Sequence, residues 1–445
     1  MKESLLIKPL MNDFYPKAVR GSGIYLYDDQ GKKYMDGSSG AITASIGHGV
    51  KNIIKAMHNQ SKNLSFVYRS QFTTDPAENL ALKLNEIVNT DERYWSFFVN
   101  SGSEATETAM KMAIQHWQEQ GDYKKTKILS RWISYHGITL GALSMSGHVT
   151  RRERFQPLLE DCPTVSPPYC YRCPFKKSYP DCNLTCASEL ETAINRIGSE
   201  HIAAFIAEPI VGAAGGVLVP PDGYYQRIKQ ICEKHRILFI SDEVMTGIGR
   251  TGKMFAMDYW NVSPDIIALG KGMSAGYAPI AATLASEKVM KPILKGSKSV
   301  MSGHTYSANP QSAAAALAVI NYIEKHQLVK KSYENGKYLL AKLERLKKSH
   351  PIIGDIRGKG LMIGVEFVSN QMTKEPLPSE KGLTNKIIKC AREKGLLLYP
   401  ASSGVDGRVG DAIIIAPPLV IKKREIKQLV SIFDEVLQEI KRERR

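Results

Sequence analysis

The chain has 445 residues, 43% hydrophobic and 23% charged, which gives enough apolar material for a large core and more than one domain and no bias towards disorder or fibre. Its net charge of +16 raises the question of a nucleic-acid partner. However, the densest basic runs (Arg151-Arg152-Glu153-Arg154, Lys422-Lys423-Arg424 and the tail Lys441-Arg442-Glu443-Arg444-Arg445) stand beside no RNA- or DNA-binding motif and read as solvated faces. No run reaches the ~18 apolar residues a membrane helix needs, and the opening MKESLLIKPLMNDFYP is too interrupted for a signal peptide, so the expectation is a soluble cytoplasmic protein with no membrane partner.

In chain order, residues 19–36 predict a small antiparallel unit, with Gly21, Gly23, Asp28-Asp29 and Gly31 as turn signals. SFFV (96–99) predicts a strand that runs into Asn100-Ser101-Gly102-Ser103-Glu104. A helix follows, with Ala105, Ala109, Met112, Ala113 and Trp117 at helical spacing. KILS (127–130) predicts a strand before the loop Tyr135-His136-Gly137. IAAFIAEP (202–209) and ILFISDEV (237–244) are β-rich and almost continuously apolar, as strands buried on both faces of a parallel sheet are. DIIALGKGM (265–273) gives another short strand and loop. After about residue 325 come long charged helices, then GLMIGVEF and AIIIAPPLVI. The whole predicts an α/β fold with a mostly parallel central sheet. A large domain would span 51–325, with a Cys-rich insertion at 162–187. A small α+β domain would be built from both termini, 1–50 and 326–445.

Ligands of such sheets sit beyond the carboxyl ends of the strands, so those ends carry the functional argument. At the first, Gly102 lets backbone approach a ligand closely, and first-turn amides with the Ser103 hydroxyl suit a phosphate; Ser101 or Ser103 could equally be a helix cap. At the next, Asp242 ends a strongly apolar strand, where an acid is costly to bury unless it meets a cation. A protonated ring nitrogen would serve; capping or a pair with Arg250 is the alternative. Finally, Lys271 stands among small residues after a strand, where desolvation lowers an amine's pKa and makes it a nucleophile towards carbonyls. A phosphate cradle, a buried acid and a loop lysine together fit a cofactor with a phosphate, a basic ring nitrogen and an aldehyde. Pyridoxal phosphate has all three.

The blocks SGSEATETAMKMA, SYHGITLGALS, FIAEPIVGAAGG, FISDEVMTGIGRTGKMFA, PDIIALGKGMSAGYAP, HTYSANPQSAAAALA and IRGKGLMIGVEF, spread over about residues 20–435, resemble those of class III pyridoxal-phosphate aminotransferases. The resemblance implies fold type I and a homodimer with active sites at the subunit interface. It implies that Lys271 is the Schiff-base lysine and proton shuttle, and Asp242 the partner of the pyridinium nitrogen. Val244 and Tyr135 would pack on the two ring faces, with His136 and Gly137 alongside. Ser101, Gly102 and Ser103 would form the phosphate cup, Thr305 would reach the phosphate from the partner subunit, and Glu208 would lie near the substrate and the cofactor hydroxyl.

An aminotransferase must hold a keto acid, and an arginine fork suits its carboxylate. Related enzymes for ornithine and 4-aminobutyrate place that arginine just before a Pro-Pro pair, where this chain has Ile414. Arg408, in the loop DGRVGDAIIIAPP, is the expected substitute, as in amine:pyruvate transaminases. An ω-amino acid or amine donor with pyruvate as acceptor is the leading expectation. Alternatives are diaminopelargonate aminotransferase of biotin synthesis, a racemase, epimerase or decarboxylase on the same cofactor, and an inactive binding scaffold. SGAITASIGHG, around Ile42, lacks an aromatic residue that often shapes the small pocket. Last, Cys170, Cys173, Cys182 and Cys186 form two close pairs that could hold zinc and pin a Pro- and Tyr-rich lid; free thiols or two disulfides are the alternatives.

Overall fold

A computed structural model describes residues 5–11, 13–88, 90–377 and 382–443; residues 1–4 of the opening stretch and Arg444-Arg445 of the basic tail lie outside the described residues. Among the described residues the strands are β1 (Ala18–Ser22), β2 (Tyr25–Asp28), β3 (Lys33–Asp36), β4 (Tyr94–Val99), β5 (Lys127–Arg131), β6 (Pro163–Val165), β7 (Ile202–Ala207), β8 (Leu238–Asp242), β9 (Ile266–Leu269), β10 (Ala281–Ser286), β11 (Ile353–Lys359), β12 (Met362–Phe367), β13 (Leu396–Leu397), β14 (Tyr399–Ser402) and β15 (Asp411–Ile415).

Seven strands make the central sheet, in the order β4-β10-β9-β8-β7-β5-β6. The pairs β9/β8, β8/β7, β7/β5 and β5/β6 are parallel, and β10 runs antiparallel to both of its neighbours, β4 and β9. Every residue of β7, β8, β9 and β10 is buried, which is why these segments lack the polar alternation of a one-sided sheet. The two-residue period still sorts their side chains by face. Ala204, Ile206, Leu238 and Ile240 pack with Ala109, Met112, Ala113 and Trp117 of the helix Gly102–Gln118. Phe205, Ala207 and Phe239 pack on the other face, against Leu190 and Ile194 of the helix Thr185–Ile197 and Ile228 and Ile231 of the helix Tyr224–Lys234. Burying each such side chain contributes about 1.5–3 kcal/mol, so a sheet covered on both faces is the anchor of the molecule.

The ends of the chain meet on smaller sheets. β1, β2 and β3 form the antiparallel unit, and β13 joins it in parallel through Leu396 opposite Met35. β11, β12, β15 and β14 form a second antiparallel sheet. The long helices Leu328–Ser349 and Lys423–Glu443 turn Leu339, Leu343, Leu429 and Phe433 into the core these sheets share. In consequence the carboxyl ends of β4, β5, β7, β8 and β9 open at one edge of the central sheet, the edge that carries Ser101, Tyr135, Glu208, Asp242 and Lys271.

Candidate active site

Gly102, Ser103, Tyr135, His136, Gly137, Glu208, Asp242, Val244 and Lys271 line one cleft of about 690 Å³ at that edge. Ile210, Ala213, Met245 and Thr246 complete its wall; these were not predicted, since single apolar or hydroxyl residues after a strand carry no distinguishing pattern.

The floor is set by β8. Asp242 is 4% exposed, and its Oδ1 accepts from the Val244 amide at 3.0 Å while its Oδ2 lies 2.8 Å from His136 Nδ1. It makes no pair with Arg250, which donates to the carbonyls of Leu361 and Pro417 and to Ser39. The adjoining Glu243 faces away, accepting from the Met257 amide at 2.9 Å and from Thr246. Burial pushes its carboxyl up to about 7. Of two neighbouring acids, only one therefore addresses the cleft.

One end is a cradle of close backbone. Ser101 caps the helix Gly102–Gln118, its hydroxyl accepting from the Glu104 amide; it is exposed and lies outside the cleft lining, so the capping alternative holds for this residue. Ser103 Oγ accepts from the Ile138 amide at 3.0 Å, which leaves its own proton free to donate to an anion. A Cβ on Gly102 would stand 2.8 Å from Val244 Cγ1. One on Gly137, at φ +145°, would stand 2.5 Å from Ser103 Oγ. Both positions require glycine.

Lys271 follows β9 and faces the same space. Burial lowers its amine's pKa, Asp242 and Glu208 pull it back up, and Arg151 lowers it further. Glu208, 5% exposed, accepts from the Gly212 amide at 3.0 Å and the Tyr135 amide at 3.1 Å; burial raises its pKa against the opposing pull of His136. Behind it stands a group that sequence reasoning missed. Arg131 is fully buried at the end of β5, with Nη2 2.6 Å from the Glu208 carbonyl, and Tyr225 donates to that same carbonyl at 2.5 Å. A charge at the end of an apolar run was the available signal, but its partner is distant in sequence.

The remaining predicted residues lie elsewhere. Thr305 is exposed and outside the cleft lining. Arg408 is exposed too, with Nη1 3.2 Å from Glu153 Oε1. Ile414 is buried within β15, opposite Gly364. The zinc expectation finds no support: among the described residues no group of three or more His, Cys, Asp or Glu is disposed to hold a metal, and all seven cysteines are free. The Cys-rich segment is pinned by other means. Tyr169 and Arg172 both donate to the buried Glu366 of β12, Arg172 from Nε at 2.6 Å, and Lys374 Nζ donates to the Tyr171 carbonyl at 3.0 Å.

Residues 11–437 match the family described as Aminotransferase class-III. The chain belongs to that family. It is 51% identical to an uncharacterized aminotransferase of Bacillus subtilis, YodT, over 99% of this chain and 98% of that one. It is 37% identical to the adenosylmethionine-8-amino-7-oxononanoate aminotransferase of Geobacter sulfurreducens, over 93% and 89%. It is 32% identical to the putrescine–pyruvate aminotransferase of Pseudomonas aeruginosa, over 95% and 90%. Among solved structures, an amine transaminase from an uncultivated Pseudomonas species in its pyridoxal-phosphate-bound form superposes with a TM-score of 0.93 at 34% identity, covering 98% of this chain and 99% of that one. The cleft fits that cofactor: two positions are held to glycine by close approach, a serine proton is free for a phosphate, a buried carboxylate faces the middle, and an amine is desolvated at the far side.

Proposed function

We propose that this aminotransferase uses pyridoxal phosphate to carry an amino group from an ω-amino acid or amine to an α-keto acid, pyruvate in the leading case. The observation that carries the proposal is the convergence of Lys271, Asp242 and the Gly102–Ser103 helix start on one cleft. The cofactor, when bound, supplies an aldehyde carbon for the amine and an electron sink for the carbanion.

The chain's own residues divide the rest of the work. The helix start at Gly102 and the Ser103 hydroxyl hold the phosphate. Asp242, oriented by His136, keeps a proton on the ring nitrogen. Val244 and Tyr135, which line the cleft, would pack on the two ring faces. Lys271, whose amine burial makes easier to deprotonate, would be the nucleophile towards the cofactor's aldehyde and would move the proton at the substrate's reacting carbon. Glu208, fixed through its carbonyl by Arg131 and Tyr225, lines the cleft and would face the cofactor hydroxyl and the substrate.

A homodimer belongs to the same proposal. Thr305 adjoins Tyr306, whose ring meets Phe66 edge-on at 5.8 Å, and Met301, Tyr306 and Phe66 are all open to solvent in the single chain. A second copy laid on this face would cover them and place Thr305 at its partner's phosphate.

Pyruvate as acceptor rests on the likeness to the putrescine–pyruvate enzyme. A second reading, transfer from adenosylmethionine to 8-amino-7-oxononanoate, is favoured by the likeness to the Geobacter enzyme. An absorbance titration separates them. Loss of the visible cofactor band with β-alanine or an aromatic amine, and its return with pyruvate, supports the first. Loss only with adenosylmethionine and return with 8-amino-7-oxononanoate supports the second. No change with any donor contradicts both.

A further inference from the structure

Thr305 lies in the loop 296–309, between the helices Glu287–Lys295 and Pro310–Lys325. A loop keeps one shape only where its peptide groups find partners, and side chains from elsewhere in the chain supply them here. Gln115 is buried near the end of the helix Gly102–Gln118. Its Oε1 accepts from the Met301 amide at 3.0 Å, and its Nε2 donates to the Ser299 carbonyl at 2.6 Å. A side-chain amide carries the same donor and acceptor as a peptide, so Gln115 holds residues 299–301 as a neighbouring strand would. About two turns nearer the start of that helix, the buried Thr108 has its Oγ1 3.3 Å from Ser302 Oγ.

Arg69 makes the next tie. Its Nη2 donates to the Ser302 carbonyl at 2.7 Å, and its guanidinium carbon lies 4.7 Å from the centre of the Phe97 ring on β4. A Cβ on Gly303 would stand 2.8 Å from Arg69 Nη2, so the missing side chain at Gly303 is what lets the guanidinium in. Together these contacts fix the backbone up to three residues before Thr305. Neither Gln115 nor Arg69 lines the cleft. Gln115 is also far from its own phosphate cradle: twelve helical steps separate it from Ser103, about 18 Å at 1.5 Å per residue.

We infer that Gln115 and Arg69 are positioning residues that set the Thr305 loop to meet the phosphate of the partner's cofactor. The inference rests on the homodimer and on the reach of Thr305 proposed above. Each residue acts through the loop backbone, so its effect on the cofactor exists only while Thr305 is there to donate. The helix Gly102–Gln118 then serves two phosphates: its first turn cradles its own, and its last turns hold the loop offered to the other.

A double-mutant cycle on the full-length protein tests this. Gln115→Met, Arg69→Met and Thr305→Ala are made singly, and each of the first two is combined with Thr305→Ala. Affinity for pyridoxal phosphate is measured by equilibrium titration, and the bound phosphate is observed by phosphorus NMR in the reconstituted holoenzyme. Thr305→Ala weakens binding roughly tenfold and moves the phosphorus resonance. Gln115→Met weakens it roughly fivefold or more and moves the resonance in the same direction. In the Thr305→Ala background Gln115→Met adds less than roughly twofold, whereas a merely structural role would add its full penalty again. Arg69→Met, at a side chain exposed in the single chain, gives the same pattern and decides the matter if Gln115→Met does not fold. Unchanged affinity in Gln115→Met, or penalties that add in full, overturns the inference and leaves the reach of Thr305 intact. A Thr305→Ala protein with unchanged affinity and resonance overturns both.

Discussion

The imidazole of His136 and the carboxylate of Asp242 meet at 2.8 Å, Nδ1 to Oδ2, with both side chains buried at the carboxyl end of β8. A carboxylate only accepts, so Nδ1 carries the hydrogen and donates. The Val244 amide donates to the other oxygen. The acid is therefore held at a fixed angle, with one face left to the cleft.

That arrangement predicts the effect of Asp242→Asn. The amide matches the shape but cannot balance a protonated ring nitrogen. The fold should persist, and turnover should drop roughly 100-fold or more, the usual scale for removing one preorganised electrostatic partner. Single-turnover rates with saturating cofactor measure it. A drop of less than tenfold would mean that Asp242 does not face the ring nitrogen.

Gly137→Ala tests the cradle. The new methyl would come within 2.5 Å of Ser103 Oγ and 2.6 Å of Ala142 Cβ, at a φ of +145° that favours glycine. Overpacking of this kind costs about 1–3 kcal/mol. Because Ser103 yields first, the loss should appear as roughly tenfold or greater weakening of cofactor affinity, read by equilibrium titration of the cofactor-free protein. Unchanged affinity would place the phosphate elsewhere.

How far the sequence could be read depends on the range of the interactions. Parallel strands buried on both faces leave near-continuous apolar runs, so β7 and β8 were visible, and with them the strand ends that carry Glu208 and Asp242. The helix after β4 showed its buried stripe from Ala105 to Trp117. Arg131 was hidden because its burial depends on Tyr225, 94 positions away. Arg151 looked like one member of a solvated run, since its nearness to Tyr135 arises only when residues 140–152 fold back over the loop. The cysteine spacing suggested zinc, but a buried carboxylate far along the chain, Glu366, pins that segment. Local pattern reveals elements and their ends; charges paired across the fold leave no local trace.

Lys271 gives a pH prediction for the cofactor-free protein. Burial lowers its folded-state pKa below the unfolded value near 10.5. Below the lowered value both states hold the proton, and the folded state bears the full cost of burying the charge. Between the lowered value and about 10.5, only the unfolded chain binds the proton, so this cost fades as pH rises. Lys271→Met should therefore be more stable than wild type at pH 7, by a margin that narrows towards pH 10. Denaturant midpoints at the two pH values check this, and an equal margin at both would contradict it.

The central claim is that one lysine carries the cofactor, and the most direct measurement is to fix that bond and find it. The wild-type holoenzyme is reduced with borohydride, digested and analysed by mass spectrometry. The account predicts a pyridoxyl-phosphate mass on the peptide containing Lys271, and its absence from that position in Lys271→Ala. Attachment to a different lysine, or no attachment after incubation with pyridoxal phosphate, would contradict it.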